Sequence, residues 1–111
     1  MKLPDLASFE TLLSVELAAI ESPAARSFAK SILIEPWQRT LRWEYGSGEP
    51  FEAWVFADFK ERDVFAAYCL GGHGARGLPW GLVSTDDDSF GMDCGWYPTL
   101  HDLIEEWVLE A

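Results

Sequence analysis

The thiols and imidazoles of this chain, which can ligate zinc or act as nucleophile and base, are four: Cys69, His73, Cys94 and His101. Their spacing, C-x3-H followed by C-x6-H, lacks the tight paired turns of structural zinc sites. Cys69 and His73 lie close enough in sequence to suggest a nucleophile and a base, but a thiolate mechanism also needs a third group to orient the base. No G-x-S-x-G elbow is present. The stretch GHGARG, residues 72–77, matches G-x-G-x-x-G and follows an expected strand. A dinucleotide site would need the last glycines to open a helix, whereas Pro79 and the extended LPWGLV come next. DDDSFG places Asp86, Asp88 and Gly91 at positions one, three and six of a calcium loop. Phe90 at position five and Tyr97 at position twelve then break that pattern. No cofactor or metal is expected, and neither is an enzyme.

Charge is the stronger signal. The chain carries 19 acids against 8 bases, a formal net charge of −11, in 111 residues. Residues 77–111 contain no Lys or Arg, yet hold Asp86, Asp87, Asp88, Asp93, Asp102, Glu105, Glu106 and Glu110. Binding to nucleic acid depends on Lys and Arg neutralising phosphates, so this balance argues against it. Anionic membranes are disfavoured for the same reason. A basic protein partner, steered by the field of the chain, is the fitting complement. Acids in the last turns of a helix oppose its dipole, so helix stability does not explain Glu106 and Glu110. Leu109, in the middle of that acidic face, has the character of an interface residue. Tyr97 joins the candidate contacts.

These residues must be positioned by a single folded domain, residues 1–111. Apolar residues make up 49% and aromatics 14%, enough for a core without metal or disulfide. Two cysteines do not make a disulfide scaffold, so the thiols are expected to be reduced. No signal-peptide core or membrane-span-length apolar run occurs, which points to the cytosol.

Leu6, Phe9, Leu13, Leu17 and Ile20 recur at helical spacing behind Asp5 as N-cap. A second helix starts with Ser22 as cap and Pro23 at its first position, and ends before Pro36. The pattern then alternates. Trp37, Leu41, Trp43 and Tyr45, with Arg39 among them, oppose Gln38, Thr40, Arg42 and Glu44. FEAWVFADF, VFAAYCL and WGLVS read as three further strands, although the alanines of VFAAYCL leave a helix open. A last helix begins behind Thr99 and buries Leu100, Leu103, Ile104, Trp107 and Val108. The expected fold is α+β: an N-terminal helical hairpin, a four-stranded antiparallel sheet, and a C-terminal helix packed on one face. Unpaired edge strands would allow a homodimer.

The residues Tyr68-Cys69, Pro79-Trp80-Gly81-Leu82-Val83, Gly91-Met92-Asp93, Gly95-Trp96-Tyr97 and Thr99-Leu100 form a recurring pattern, with Trp43 and Trp54 on the preceding strands. It is similar to small acidic proteins of bacterial toxin–immunity loci and to related uncharacterised bacterial families. That resemblance implies a cytosolic, non-enzymatic protein that binds and neutralises a cognate toxin domain through an acidic, aromatic-lined surface. Two other readings remain open. One is a small-molecule-binding domain with its pocket at the glycine-rich loop, residues 71–78. The other is an enzyme using Cys69 or His73.

Overall fold

The computed structural model describes residues 3–45, 47–90 and 95–110, the last four by backbone alone. Helix α1 (Leu6–Ala18) starts where Asp5 accepts a hydrogen bond from the Ser8 amide at 2.8 Å. That bond holds the Asp5 carboxyl below the usual carboxylate range. Helix α2 (Pro23–Ser31) is capped by Ser22, whose hydroxyl accepts from the Ala25 amide. Both caps are those expected. Of the α1 stripe, Phe9, Leu13 and Ile20 are buried, whereas Leu6 stays 40% exposed.

Four strands follow as an antiparallel meander: β1 (Leu33–Trp43), β2 (Pro50–Phe59), β3 (Val64–Cys69) and β4 (Trp80–Ser84). Strand β1 begins earlier than the expected Trp37 and runs through Pro36. Proline is tolerated there because the β1–β2 register shifts between Leu33 and Trp37. Among the described residues the only other strand paired with β1 meets it at Arg42 and Trp43, so Pro36 lies on an edge. Tyr45 lies beyond the end of the strand and is exposed.

Among the described residues the sheet has six strands, not four, and is mixed. Strand β5 (Ser89–Phe90) pairs parallel with β1, and β6 (Trp96–Tyr97) pairs antiparallel with β4, giving the order β5-β1-β2-β3-β4-β6. Each added strand is two residues long, too short for alternation to reveal. A single Arg39 side chain joins the two flanks of the sheet, with its Nη1 donating to the Ser84 carbonyl at 2.8 Å. Flat strands three spacings apart would be separated by roughly 14 Å, beyond the reach of an arginine. The sheet therefore curls, and the Phe90 and Trp96 rings from its two ends meet at 5.4 Å.

Curling gives the faces different fillings. On the convex side all three helices cover Trp54, Phe56, Tyr68, Trp80 and Leu82; α3 (Leu100–Glu110) contributes buried Leu100, Leu103 and Ile104. Phe9 sits at the centre of this layer, within 6.2 Å of the Trp54, Phe56, Tyr68 and Trp80 rings. The concave side is filled by sheet residues Leu41, Val55, Ala67, Cys69 and Val83, closed by Phe90 and Trp96. Gly81 permits this closure. Trp96 pairs opposite it, and a Cβ at Gly81 would lie 2.2 Å from the indole. Trp107 and Val108, also expected in the helical stripe, lie outside the described side chains. No described helix is long and apolar enough to cross a membrane.

Candidate functional site

The glycine-rich loop is a short 3-10 turn, Gly72–Arg76, and opens no longer helix. Its glycines serve aromatic neighbours. Gly72 adopts φ +56°, and a Cβ there would meet the Trp43 and Phe90 rings at 2.6–2.7 Å. A Cβ on Gly74 would come within 2.0 Å of the Cys69 carbonyl. Phe51 fills the space beneath Gly71 in the same way. A groove of about 370 Å³ between Leu3, Gln38, Glu52 and Leu70 touches the loop only at Gly71. Over Gly71, Gly72 and Gly74 the loop thus lies directly against the side chains and backbone beneath it.

Cys69 and His73 are placed apart in chemistry. Cys69 is a free thiol with no exposed surface, and burial pushes it up to about 11. It is held protonated near neutral pH, the opposite of the lowered value that marks a reactive thiol. His73 stands edge-on to Trp43, with ring centroids 4.9 Å apart, and lies 5.9 Å from Trp96. Among the described residues no group of three or more His, Cys, Asp or Glu is arranged to hold a metal ion. Cys94 lies outside the described residues.

The aspartate run forms the turn that leads into β5. Asp88 accepts from Arg39 Nε at 2.8 Å through its carboxylate, and from the Arg42 amide at 2.8 Å through its carbonyl. Asp87 accepts from the Ser89 amide at 2.9 Å, closing an Asx turn into β5. That bond, aided by Arg39, lowers the Asp87 carboxyl below its ordinary value. The Asp86 amide donates to the Ser84 hydroxyl. Of the candidate contacts in this run, Asp88 is ion-paired with Arg39, and the Asp87 carboxylate is occupied by the Ser89 amide. Asp93 lies outside the described residues, as do the side chains of Leu109 and Glu110.

Compared with family models, with curated proteins and with solved structures, the chain matches none.

Helix α3 carries the other acidic group. Thr99 accepts from the Asp102 amide at 3.1 Å and caps the helix as expected. Asp102, Glu105 and Glu106 are exposed on its outer side. Glu105 bonds His101 Nε2 at 2.9 Å, whereas no basic residue occupies the last turn. Tyr97 is half-buried against the helix-covered core, so less of it is available to a partner than its position in sequence suggests. The sheet separates these acids from the Asp86–Asp88 turn, because Arg39 clasps that turn to the concave side.

Two residues that organise this region escaped sequence reasoning. Arg39 is 9% exposed and also lies over the Phe65 ring, 5.8 Å from its centroid. Its signal was a cation on the apolar side of an alternating strand. Glu16 accepts from the Leu100 amide at 2.9 Å, placing a carboxylate at the positive end of α3. No local pattern could reveal that contact across 84 residues.

Proposed function

We propose that the chain is a non-catalytic binding protein that docks a basic protein domain, in the manner of a cytosolic immunity protein neutralising a toxin. The observation that carries this reading is the outer surface of α3. Asp102, Glu105 and Glu106 stand exposed in a helix with no Lys or Arg, and His101 engages only the first two. Helix α1 packs beside α3, likewise has no Lys or Arg, and exposes Glu10. Asp102 lies in the first turn, where the macrodipole favours an acid. Acids near a helix C-terminus oppose it, so it is at Glu106 and, further along the helix, Glu110 that the charge is explained better by a partner than by the fold.

The docking set proposed from the sequence narrows accordingly. Asp102, Glu105 and Glu106 lead, and Leu109 and Glu110 would extend the same helix towards its end. Asp86 and Asp87 contribute to the long-range field. Asp88 is committed to Arg39. Steering by such a surface raises the association rate and makes it salt-dependent. An enzyme built on Cys69 is disfavoured by its buried, protonated thiol.

The test is co-expression with the protein encoded beside this chain, followed by size-exclusion chromatography and cell survival. A stoichiometric complex that protects the cell, weakened by Asp102→Asn with Glu105→Gln and Glu106→Gln, supports the proposal. No complex, or one indifferent to those three changes, refutes it.

A further inference from the structure

The surface between α1 and α2 has the opposite charge. A groove of about 430 Å³ runs between the two helices, lined by Ser14, Leu17 and Ala18 from α1 and by Arg26 and Lys30 from α2. Two cations and a hydroxyl face it, and no carboxylate lines it among the described residues, in a chain of net charge −11. Lys30 alone would be unremarkable, since the last turn of a helix favours a cation. Arg26 is not explained that way. One guanidinium nitrogen, Nη2, donates to the Ile20 carbonyl, while Nε is buried and has no hydrogen-bond partner among the described residues. A buried donor left unmatched is costly, and native structures seldom keep one without a use.

We infer that this groove binds a phosphate group carried on a small organic body. A guanidinium, an ammonium and a hydroxyl arriving from two helices offer donors from separate directions, which suits a tetrahedral, doubly charged anion. A planar carboxylate would leave one of them idle. Leu17 and Ala18 supply an apolar wall for the body of the ligand. The volume lies within the range of small-molecule sites and exceeds what a free phosphate ion fills. The groove is lined by α1 and α2 and by no residue of α3 among those described, and it does not require a protein partner.

The experiment titrates the purified chain with inorganic phosphate and, separately, phenyl phosphate, at ionic strength held constant with sodium chloride. Thermal melting and amide NMR shifts are followed. Phenyl phosphate should raise Tm in a saturable manner and move the amides of Ser14 and Lys30. Lys30→Gln, an exposed position, should weaken binding about tenfold or more, as loss of a charge-assisted bond does. Ser14→Ala should weaken it less. A response to inorganic phosphate as well shows that the anion suffices, and a response to phenyl phosphate alone shows that the apolar wall is needed. Both support the site. No saturable response to either compound, or one unchanged in Lys30→Gln, overturns it. Arg26 is left unaltered in these variants, so loss of its Ile20 contact cannot confound the result.

Discussion

Replacing Arg39 with Met should destabilise the chain far more than neutralising its partner Asp88. Arg39 donates to the Ser84 carbonyl, pairs with Asp88 and covers the Phe65 ring. A hydrogen bond from a charged donor contributes about 1.5–3 kcal/mol. The Asp88 side chain is 58% exposed, which limits the ion pair to at most about 1 kcal/mol. The contact with Phe65 adds about 0.5–1 kcal/mol. These contributions share one side chain and are not additive, so Arg39→Met should cost about 2–4 kcal/mol. Asp88→Asn keeps the backbone carbonyl that serves the Arg42 amide and should cost at most about 1 kcal/mol. Urea unfolding followed by tryptophan fluorescence reads both values, and an unchanged urea dependence shows that the folded state is otherwise intact. Equal costs for the two variants, or a cost under about 1 kcal/mol for Arg39→Met, would refute the role of Arg39 as the clasp of the curled sheet.

Gly74→Ala should cost about 3 kcal/mol or more, or prevent folding, because the new methyl meets backbone at Cys69. Gly77→Ala is the control: φ is +83° with nothing within 4 Å, so only the left-handed penalty of about 1–2 kcal/mol applies. Both are read by denaturation. Glu16→Gln should weaken the start of α3 by about 0.5–1.5 kcal/mol, seen as faster amide exchange at Leu100. The Cys69 thiol should resist alkylation in the native state at pH 8 and react freely in urea. Its folded value of about 11 lies above the ordinary 9.0, so the native state retains its proton longer than the unfolded chain. Stability from this group is complete below pH 9 and is lost as pH rises towards 11. Cys69→Ala should flatten that decline.

Local chemistry made much of the fold legible. Asp5, Ser22 and Thr99 were readable as caps because capping is decided within three residues. The alternation from Trp37 to Glu44 gave the strand, and the buried Leu100, Leu103 and Ile104 gave the phase of the last helix. Pairing hid the remainder. Ser89–Phe90 and Trp96–Tyr97 are strands only because β1 and β4 offer them edges. The aspartate run looked like free charge because Arg39 lies 49 positions away from Asp88 in sequence. Cys69 and His73 looked like chemistry until burial placed the thiol in an apolar interior. The acids Asp102, Glu105 and Glu106 were identified from composition, and helical spacing placed them together on the outer face.

The most direct test of the docking surface is the association rate of the chain with the protein encoded beside it, measured by stopped flow at low and high salt. Two variants are compared with the natural chain: Asp102→Asn with Glu105→Gln and Glu106→Gln, and Asp86→Asn with Asp87→Asn. Steering by α3 predicts that the first variant associates at least several-fold more slowly at low salt and loses much of its salt dependence. The second should change both much less. An association rate and salt slope unaltered in the first variant, or reduced only in the second, would contradict the assignment of α3 as the binding surface.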